Sequence, residues 1–388
     1  MSQTKAQLLE GTTAQNVTVD NINTTSINTG QVSGSKNLVQ NGAFQIAQRA
    51  SSSTTSGYGS VDRWQGQHGS TGVTVTHSQQ STSSSDEPYQ NGFQNFFRLA
   101  LSGAGTANAG AFLEMQHRIE AQNMANSGWN FKSSSSNITL SFWVRPSTNQ
   151  TFYCYLRSYD GTGQHYAFSF TADGNNTWTK ITKTIPGNTN LQFDNNNGQG
   201  LQLVITPFYG TTYTNNLTLN QWAAQDNANY LPDMASTWLT AGASTFDVTG
   251  VQLETGSTAT DFEHRSFGEE LSLCQRYYER IVERDEGSNA RENNLGMFWC
   301  DGSNFFTQIP FKIQKRAQPT LEISNFTNAF RAYGVGGGVN ANTLGLNTIH
   351  RDGMLTEQSG NPGSVGFTRV FTDDSDGNKA LVAALAEL

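Results

Sequence analysis

Residues 137–145, NITLSFWVR, alternate without a break: Ile138, Leu140, Phe142 and Val144 fall on one side, Thr139, Ser141 and Trp143 on the other. A period of two marks a strand with one face on a core, and a helix does not satisfy it. Similar strand signals recur at 73–76, 151–156 and 201–205. The segment FDVTGVQLE places Phe246, Val248 and Val251 inward, with a kink at Gly250. Turn sequences such as YDGTG and ADGNN separate these strands at the intervals of a β-sandwich. The chain therefore reads as mainly β.

Composition agrees. Hydrophobic residues are 35% and charged residues 14%, the difference being filled by Gly, Ser, Thr, Asn and Gln, which suit twisted strands and tight turns. Aromatic residues at 11% argue against disorder. The net charge of −8 and the absence of a Lys/Arg run exclude a nucleic-acid partner; the nearest group, Lys312, Lys315 and Arg316, reads as a solvated strand edge. Cys154, Cys274 and Cys300 match no zinc or redox spacing and read as free thiols of a chain folded in a reducing cytoplasm. Residues 1–10 lack the apolar core of a signal peptide, and no stretch is apolar enough to insert in a membrane.

Four regions follow. Residues 1–36 contain no aromatic side chain, only a thin stripe of Val17, Val19, Ile22 and Ile27. Such a segment gains most by pairing with copies of itself or by ordering against a partner protein, so 1–36 reads as an attachment or trimerisation segment, with a disordered tail as the alternative. Residues 37–265 carry the sandwich signals. A helix is expected over 266–283, where Phe267, Leu271, Cys274, Tyr278 and Ile281 fall at helical spacing, Ser266 and Glu269 form a capping box, and Arg276 and Arg280 lie toward the end. Residues 284–388 are again β: LGMFWCDGSNFFTQIPFKI reads as two strands across a turn at 301–303, followed by RAQPTLEIS, SVGFTRVFT and KALVAALAEL. GVGGG at 334–338 reads as a flexible loop, and it lacks the strand-then-helix setting of a phosphate loop.

The order NLVQNGAFQIAQRA, then VDRW, then FDVTGVQLETGSTATDFEHRSFGEELSLCQRYYER, with FKIQKRAQPTLEIS later, resembles bacteriophage virion structural proteins of the tail-fibre type found in marine and cyanobacterial phages. The resemblance covers 37 to about 325, and the long third block is its most specific part. It implies a jelly roll like that of carbohydrate-binding modules, followed by a C-terminal β domain. It also implies a virion location, a homotrimer, and a tail fibre or head-attached fibre that touches host surface polysaccharide, with the separate segment 1–36 expected to contact other virion proteins. A capsid decoration protein without sugar binding and a secreted bacterial carbohydrate-binding module are the alternatives. The motif residues themselves read as architectural: Phe44 and Ile46 point inward, Trp64 is a core anchor, and Glu263, His264 and Arg265 either clamp the helix by ion pairing or form a solvated corner.

No catalytic signature is present: the six histidines form no H-E-x-x-H pair, and no G-x-S-x-G elbow occurs. The chain is expected not to be an enzyme. For sugar binding, aromatic faces beside planar polar groups are needed, and Trp143, Tyr155, Tyr159 and Tyr166 are the candidates. Trp143 lies on the outward phase of its strand, and the tyrosines flank the YDGTG turn; core or subunit contact accounts for each as well. No cofactor is expected beyond a structural calcium ion. Asp374 and Asp376 open a calcium-like loop, but the closing acid is replaced by Leu385. The resemblance adds Asp247 as a calcium ligand near the strand ends, and hydrogen bonding at the core edge explains it equally.

Light scattering of the full chain should return three times the monomer mass, and a monomer at micromolar concentration would overturn the trimer expectation. Deleting 1–36 should leave a cooperative thermal melt while abolishing incorporation into particles.

Overall fold

The computed structural model describes residues 36–283 and, beyond them, 294–300, 304–323, 330–334, 337–341, 345–359, 366–372 and 381–388. The attachment segment 1–36 lies, except for Lys36, outside the described residues. Among these residues, strands dominate and helix is confined to α1 (Glu87–Gln90), α2 (Ala121–Ala125), α3 (Thr237–Thr240) and α4 (Phe267–Gln275).

The first region is a sandwich of β1 (Ser52–Ser53), β2 (Trp64–Gly69), β3 (Val75–Ser81), β4 (Asn95–Leu101), β5 (Phe112–Glu120), β6 (Asn137–Pro146), β7 (Thr151–Ser158), β8 (Gln164–Thr171), β9 (Thr179–Pro186), β10 (Gln199–Tyr209), β11 (Trp222–Ala224) and β12 (Thr245–Thr255). They form two six-stranded sheets, ordered β1-β3-β4-β12-β6-β9 and β11-β8-β7-β10-β5-β2. Between them lies one core that includes Trp64, Phe97, Leu113, Phe142, Phe168, Leu203 and Phe246. Ile138, Leu140, Phe142 and Val144 all enter this core, as the alternation of β6 requires. Gly250 is a bulge: the β12–β6 register shifts between Thr249 and Gln252, and Gly250 has φ +61. A Cβ there would meet the Phe93 ring at 2.7 Å, so both conformation and space demand glycine.

The helix differs from expectation. It ends at Gln275, and the rest of 266–283 becomes β13 (Tyr278–Glu283), which pairs with β22 (Leu381–Leu385) beside β16 (Thr320–Ile323). Burial of Tyr277 and Tyr278, together with a ladder to β22, outweighs the local helical spacing. Phe267, expected on the apolar face, is 60% exposed. One half of the expected capping box is present: Ser266 Oγ accepts from the Glu269 N–H. Arg265 does clamp the helix, pairing with Glu270 at 3.5 Å and Glu263 at 2.8 Å.

The remaining strands, β14 (Asn294–Cys300), β15 (Asn304–Pro310), β17 (Phe330–Gly334), β18 (Gly337–Ala341), β19 (Leu346–Ile349), β20 (Gly353–Ser359) and β21 (Gly366–Thr372), form a seven-stranded sheet ordered β18-β17-β21-β14-β15-β20-β19. GVGGG is not simply a loop: Gly334 pairs with Gly337 as β17 passes into β18.

Where the sandwich meets the three-stranded sheet, charged side chains are buried together. Arg63, 0% exposed and at φ +69, lies with its guanidinium 3.4 Å from the Tyr277 ring centre. It donates to Glu387 Oε2 at 2.6 Å, Gln40 Oε1 at 2.9 Å and the Arg118 carbonyl at 2.6 Å. Arg49 stacks on Tyr278 at 3.7 Å and reaches the other Glu387 oxygen at 3.0 Å. Glu120 accepts from Arg276 at 2.7 and 2.8 Å and from the Tyr277 hydroxyl. Lys315, read from sequence as solvated, is fully buried against Glu279 at 2.6 Å, and Arg316 donates to the Ala386, Glu387 and Asn197 carbonyls. Lys315 and Arg316 thus belong to a junction, while Lys312 is exposed as expected.

Arg63→Ala should lower the unfolding free energy by about 3–5 kcal/mol, because it strands the Glu387 carboxylate beside an emptied site. Urea unfolding measures this, and a change below about 1 kcal/mol would show that water compensates the lost charge.

Candidate functional site

Strands β5, β10 and β7 lie side by side, and alternation sends every second residue outward. On β5 the inward residues Leu113, Met115 and Ile119 leave Glu114, Gln116 and Arg118 on the outer face. Register then aligns these with their neighbours. Gln202 of β10 lies opposite both Arg118 and Arg157, and Val204 opposite both Gln116 and Tyr155. The outer face thus carries two cross-strand rows, Arg118–Gln202–Arg157 and Gln116–Val204–Tyr155.

The chain after β10 folds over one end of this face. Tyr213, Leu217, Tyr230 and Leu231 pack with Tyr155, Val204 and Tyr209 in a second apolar cluster. Between this wall and the rows lies a groove of about 260 Å³, lined by Phe112, Tyr155, Tyr159, Tyr209, Tyr213 and Tyr230 together with Glu114, Gln116, Arg118, Arg157 and Gln202. Tyr155 stacks on Tyr230 with ring centres 5.6 Å apart and 22° between planes. Arg157 is held by Gln225 Oε1 at 2.6 Å and the Tyr230 hydroxyl at 3.2 Å, with its guanidinium 4.7 Å from the Tyr159 ring centre.

The polar groups form one directed chain. Tyr159 donates to Gln202 at 2.6 Å, Gln202 to Gln116 at 2.7 Å, and Gln116 to Glu114. Tyr209 donates to the other Glu114 oxygen, and its own oxygen is 2.9 Å from the Tyr155 hydroxyl. Burial raises the Glu114 carboxyl above its ordinary value, against the pull of these hydrogen bonds and of Arg118 and Arg157. Burial pushes the Tyr155 and Tyr209 hydroxyls well up, so both stay neutral donors. His165, beneath Tyr155, is lowered to about 4 by burial and is neutral near pH 7, with Nε2 2.8 Å from the Tyr230 carbonyl. Flat aromatic faces beside fixed amide, hydroxyl and guanidinium groups suit a ligand with apolar ring faces and a hydroxyl rim.

Of the residues singled out from sequence, Tyr155 and Tyr159 line this groove, and Trp143 and Tyr166 do not. Trp143 is 6% exposed, packed with Ala43, Phe93, Phe96 and Trp178 under Phe262, because the sandwich's outer face is covered there as well. Tyr166 lies opposite Leu156 and therefore faces the main core, 2% exposed. Asp247 is not placed to ligate calcium: it is fully buried, opposite Arg98 and Arg145 on the two flanking strands, and accepts from them at 2.7, 2.8 and 2.9 Å. Two guanidiniums on one carboxylate repel a further cation. Asp374 and Asp376 lie outside the described residues. Sequence reasoning missed Glu114, Gln116, Arg118, Arg157, Gln202, Tyr209, Tyr213 and Tyr230. The available signal was FLEMQHRIE, whose outward phase reads Glu, Gln, Arg.

Two other features have less to offer. A hollow of about 380 Å³ beside Lys132, Gln164 and Gln192 has no aromatic side chain in its lining. Ser60 Oγ lies 2.7 Å from His77 Nδ1 like a nucleophile and its base, but both residues are fully buried and the other ring nitrogen is 2.8 Å from the Thr55 carbonyl.

The sequence matches no protein family and no curated protein. Among solved structures, the enzymatically active domain of tailspike protein 4 from bacteriophage CBA120 is similar over 57% of this chain and 22% of its own, at 12% identity and TM-score 0.32. The chain therefore spans less than a quarter of that tailspike chain. A carbohydrate-binding module of family 4 is similar over 56% of this chain and 99% of its own, at 11% identity and TM-score 0.29. A family 11 module of a Clostridium thermocellum cellulosomal cellulase is similar over 55% and 98%, at 12% identity and TM-score 0.26.

Trp143→Ala should lower stability by about 3–5 kcal/mol, as for other buried tryptophans, while the folded fraction keeps the groove intact. Denaturant titration gives the first quantity. An unchanged midpoint would show that the outer cluster contributes no packing energy.

Proposed function

We propose that this protein is a non-enzymatic, glycan-adhesive structural component of a bacteriophage particle, a tail fibre or head-attached fibre. The groove on the outer face of β5, β10 and β7 carries the reading: tyrosine rings stand beside an ordered set of planar polar groups. The ordered block of motifs from NLVQNGAF to CQRYYER supports the particle assignment by resemblance. Binding rather than turnover suits the groove, since glycoside hydrolysis uses two carboxyl groups across the scissile bond and the groove lining contains one, Glu114. Affinity per groove is modest, because each ring contributes little beyond its buried area. A homotrimer projecting from a particle multiplies it through effective concentration.

A glycan array probed with the full chain, then with Tyr159→Ala and Tyr230→Ala, tests this. Each substitution should weaken binding roughly tenfold through loss of one ring face, without shifting the thermal melt by more than a few degrees. If the parent protein binds neither glycans nor host cells, the adhesive reading fails and a purely structural role replaces it.

A further inference from the structure

The groove is charged in a way that sugar stacking alone does not require. Arg118 and Arg157 flank Gln202 in one cross-strand row, so their backbones are about 10 Å apart at ordinary strand spacing. Arg63, Arg98, Arg145 and Arg276 each meet a carboxylate. Arg157 does not, among the described residues. Arg118 donates from Nη1 to a main-chain oxygen of Leu388, the last residue of the sequence, at 2.6 Å, and its buried Nε has no partner among the described residues. Arg157 is fixed entirely by neutral groups, Gln225 and the Tyr230 hydroxyl. The one acid of the groove, Glu114, has both oxygens occupied by Tyr209 and Gln116. Burial also favours its protonated form.

In a chain of net charge −8, the two guanidiniums held in this row repel each other, and Glu114 is the one acid of the groove lining that draws on them. An anion lying along the row would relieve that repulsion. Guanidinium groups present paired N–H donors to carboxylate or sulfate oxygens, and Arg157 is oriented before any ligand arrives. We infer that the groove takes a negatively charged glycan, one carrying carboxylate or sulfate groups, with Arg157 and Arg118 as its anion contacts and Tyr159 and Tyr230 as its ring platforms. The inference rests on the glycan-binding reading above and narrows it to a chemical class. Neutral polysaccharides offer Arg157 no anionic partner and are the weaker ligands.

The test uses matched pairs of probes on the full-length protein, so that charge is the variable. Polygalacturonate is compared with the same polymer after reduction of its carboxyl groups, and dextran sulfate with dextran. Charged members should bind at least about tenfold more tightly than their neutral partners, with affinity falling as salt is raised. Arg157→Gln and Arg118→Gln should each remove most of that preference, while Arg157→Lys should retain part of it. The ligand-side pairs read out on the parent protein alone, so a variant that fails to fold does not remove the test. A preference for one anion over the other identifies the group recognised. Equal binding of charged and neutral members, or a preference that survives both glutamine substitutions, would overturn the inference and leave glycan binding standing. Absence of binding to all four polymers and to a broad glycan array would remove both.

Discussion

A buried guanidinium holds the described part of this protein together. Arg63 is sealed between the sandwich and the three-stranded sheet, stacked on Tyr277 and bonded to Glu387, Gln40 and the Arg118 carbonyl. Removing such a charge from water is expensive, and the expense is met only when every donor has a partner and the counter-charge is close. Its φ of +69 is a further cost for a residue with a side chain. Each partner comes from a different stretch of sequence, so the arrangement exists only when sandwich, helix and C-terminal strand are all in place. Around it, Glu120–Arg276 and Lys315–Glu279 repeat the pattern of a buried acid met by a base from another region.

The sequence motifs that carried the resemblance have this junction in common. Asn41 of NGAF accepts from the Ile46 N–H and donates to the Asp62 carbonyl, while its own N–H goes to Glu270. Asp62 and Arg63 of VDRW, Arg265 of FEHRSF, and Arg276 and Tyr277 of CQRYYER all lie in or beside it. Motifs separated by about two hundred residues thus meet in one buried polar network, in which each member is a hydrogen-bond partner of another.

Much of the fold was legible as alternation. The period of β6, the kink at Gly250 and the hairpin of β14 with β15 all follow from local pattern. What alternation does not reveal is whether the second face of a strand is also covered. Trp143 read as outward and is outward, yet Phe93, Phe96 and Trp178 close over it. The helix was overextended because Tyr278 fits both a helical stripe and a strand, and only the distant β22 decides between them. Of the four aromatic residues named from the sequence, Tyr155 and Tyr159 line the groove and Trp143 and Tyr166 do not. The polar half of the groove was missed because Glu114, Gln202 and the arginines become a site only through cross-strand register, which a single strand does not encode.

Strand β5 links these two parts of the molecule. Its outward residues Glu114, Gln116 and Arg118 line the groove, while the Arg118 carbonyl and Glu120, at the same strand's end, are bonded into the junction. At 3.4 Å per residue its nine residues make a bar of about 30 Å. Its ladder bonds to β10 and β2 run across the strand, so a pull along its axis loads them together in shear instead of peeling them singly. Tension on anything held in the groove would therefore pass down one backbone into the buried charged junction. Such a strand works mechanically as a tie rod, and the buried charges at its end are its anchor plate.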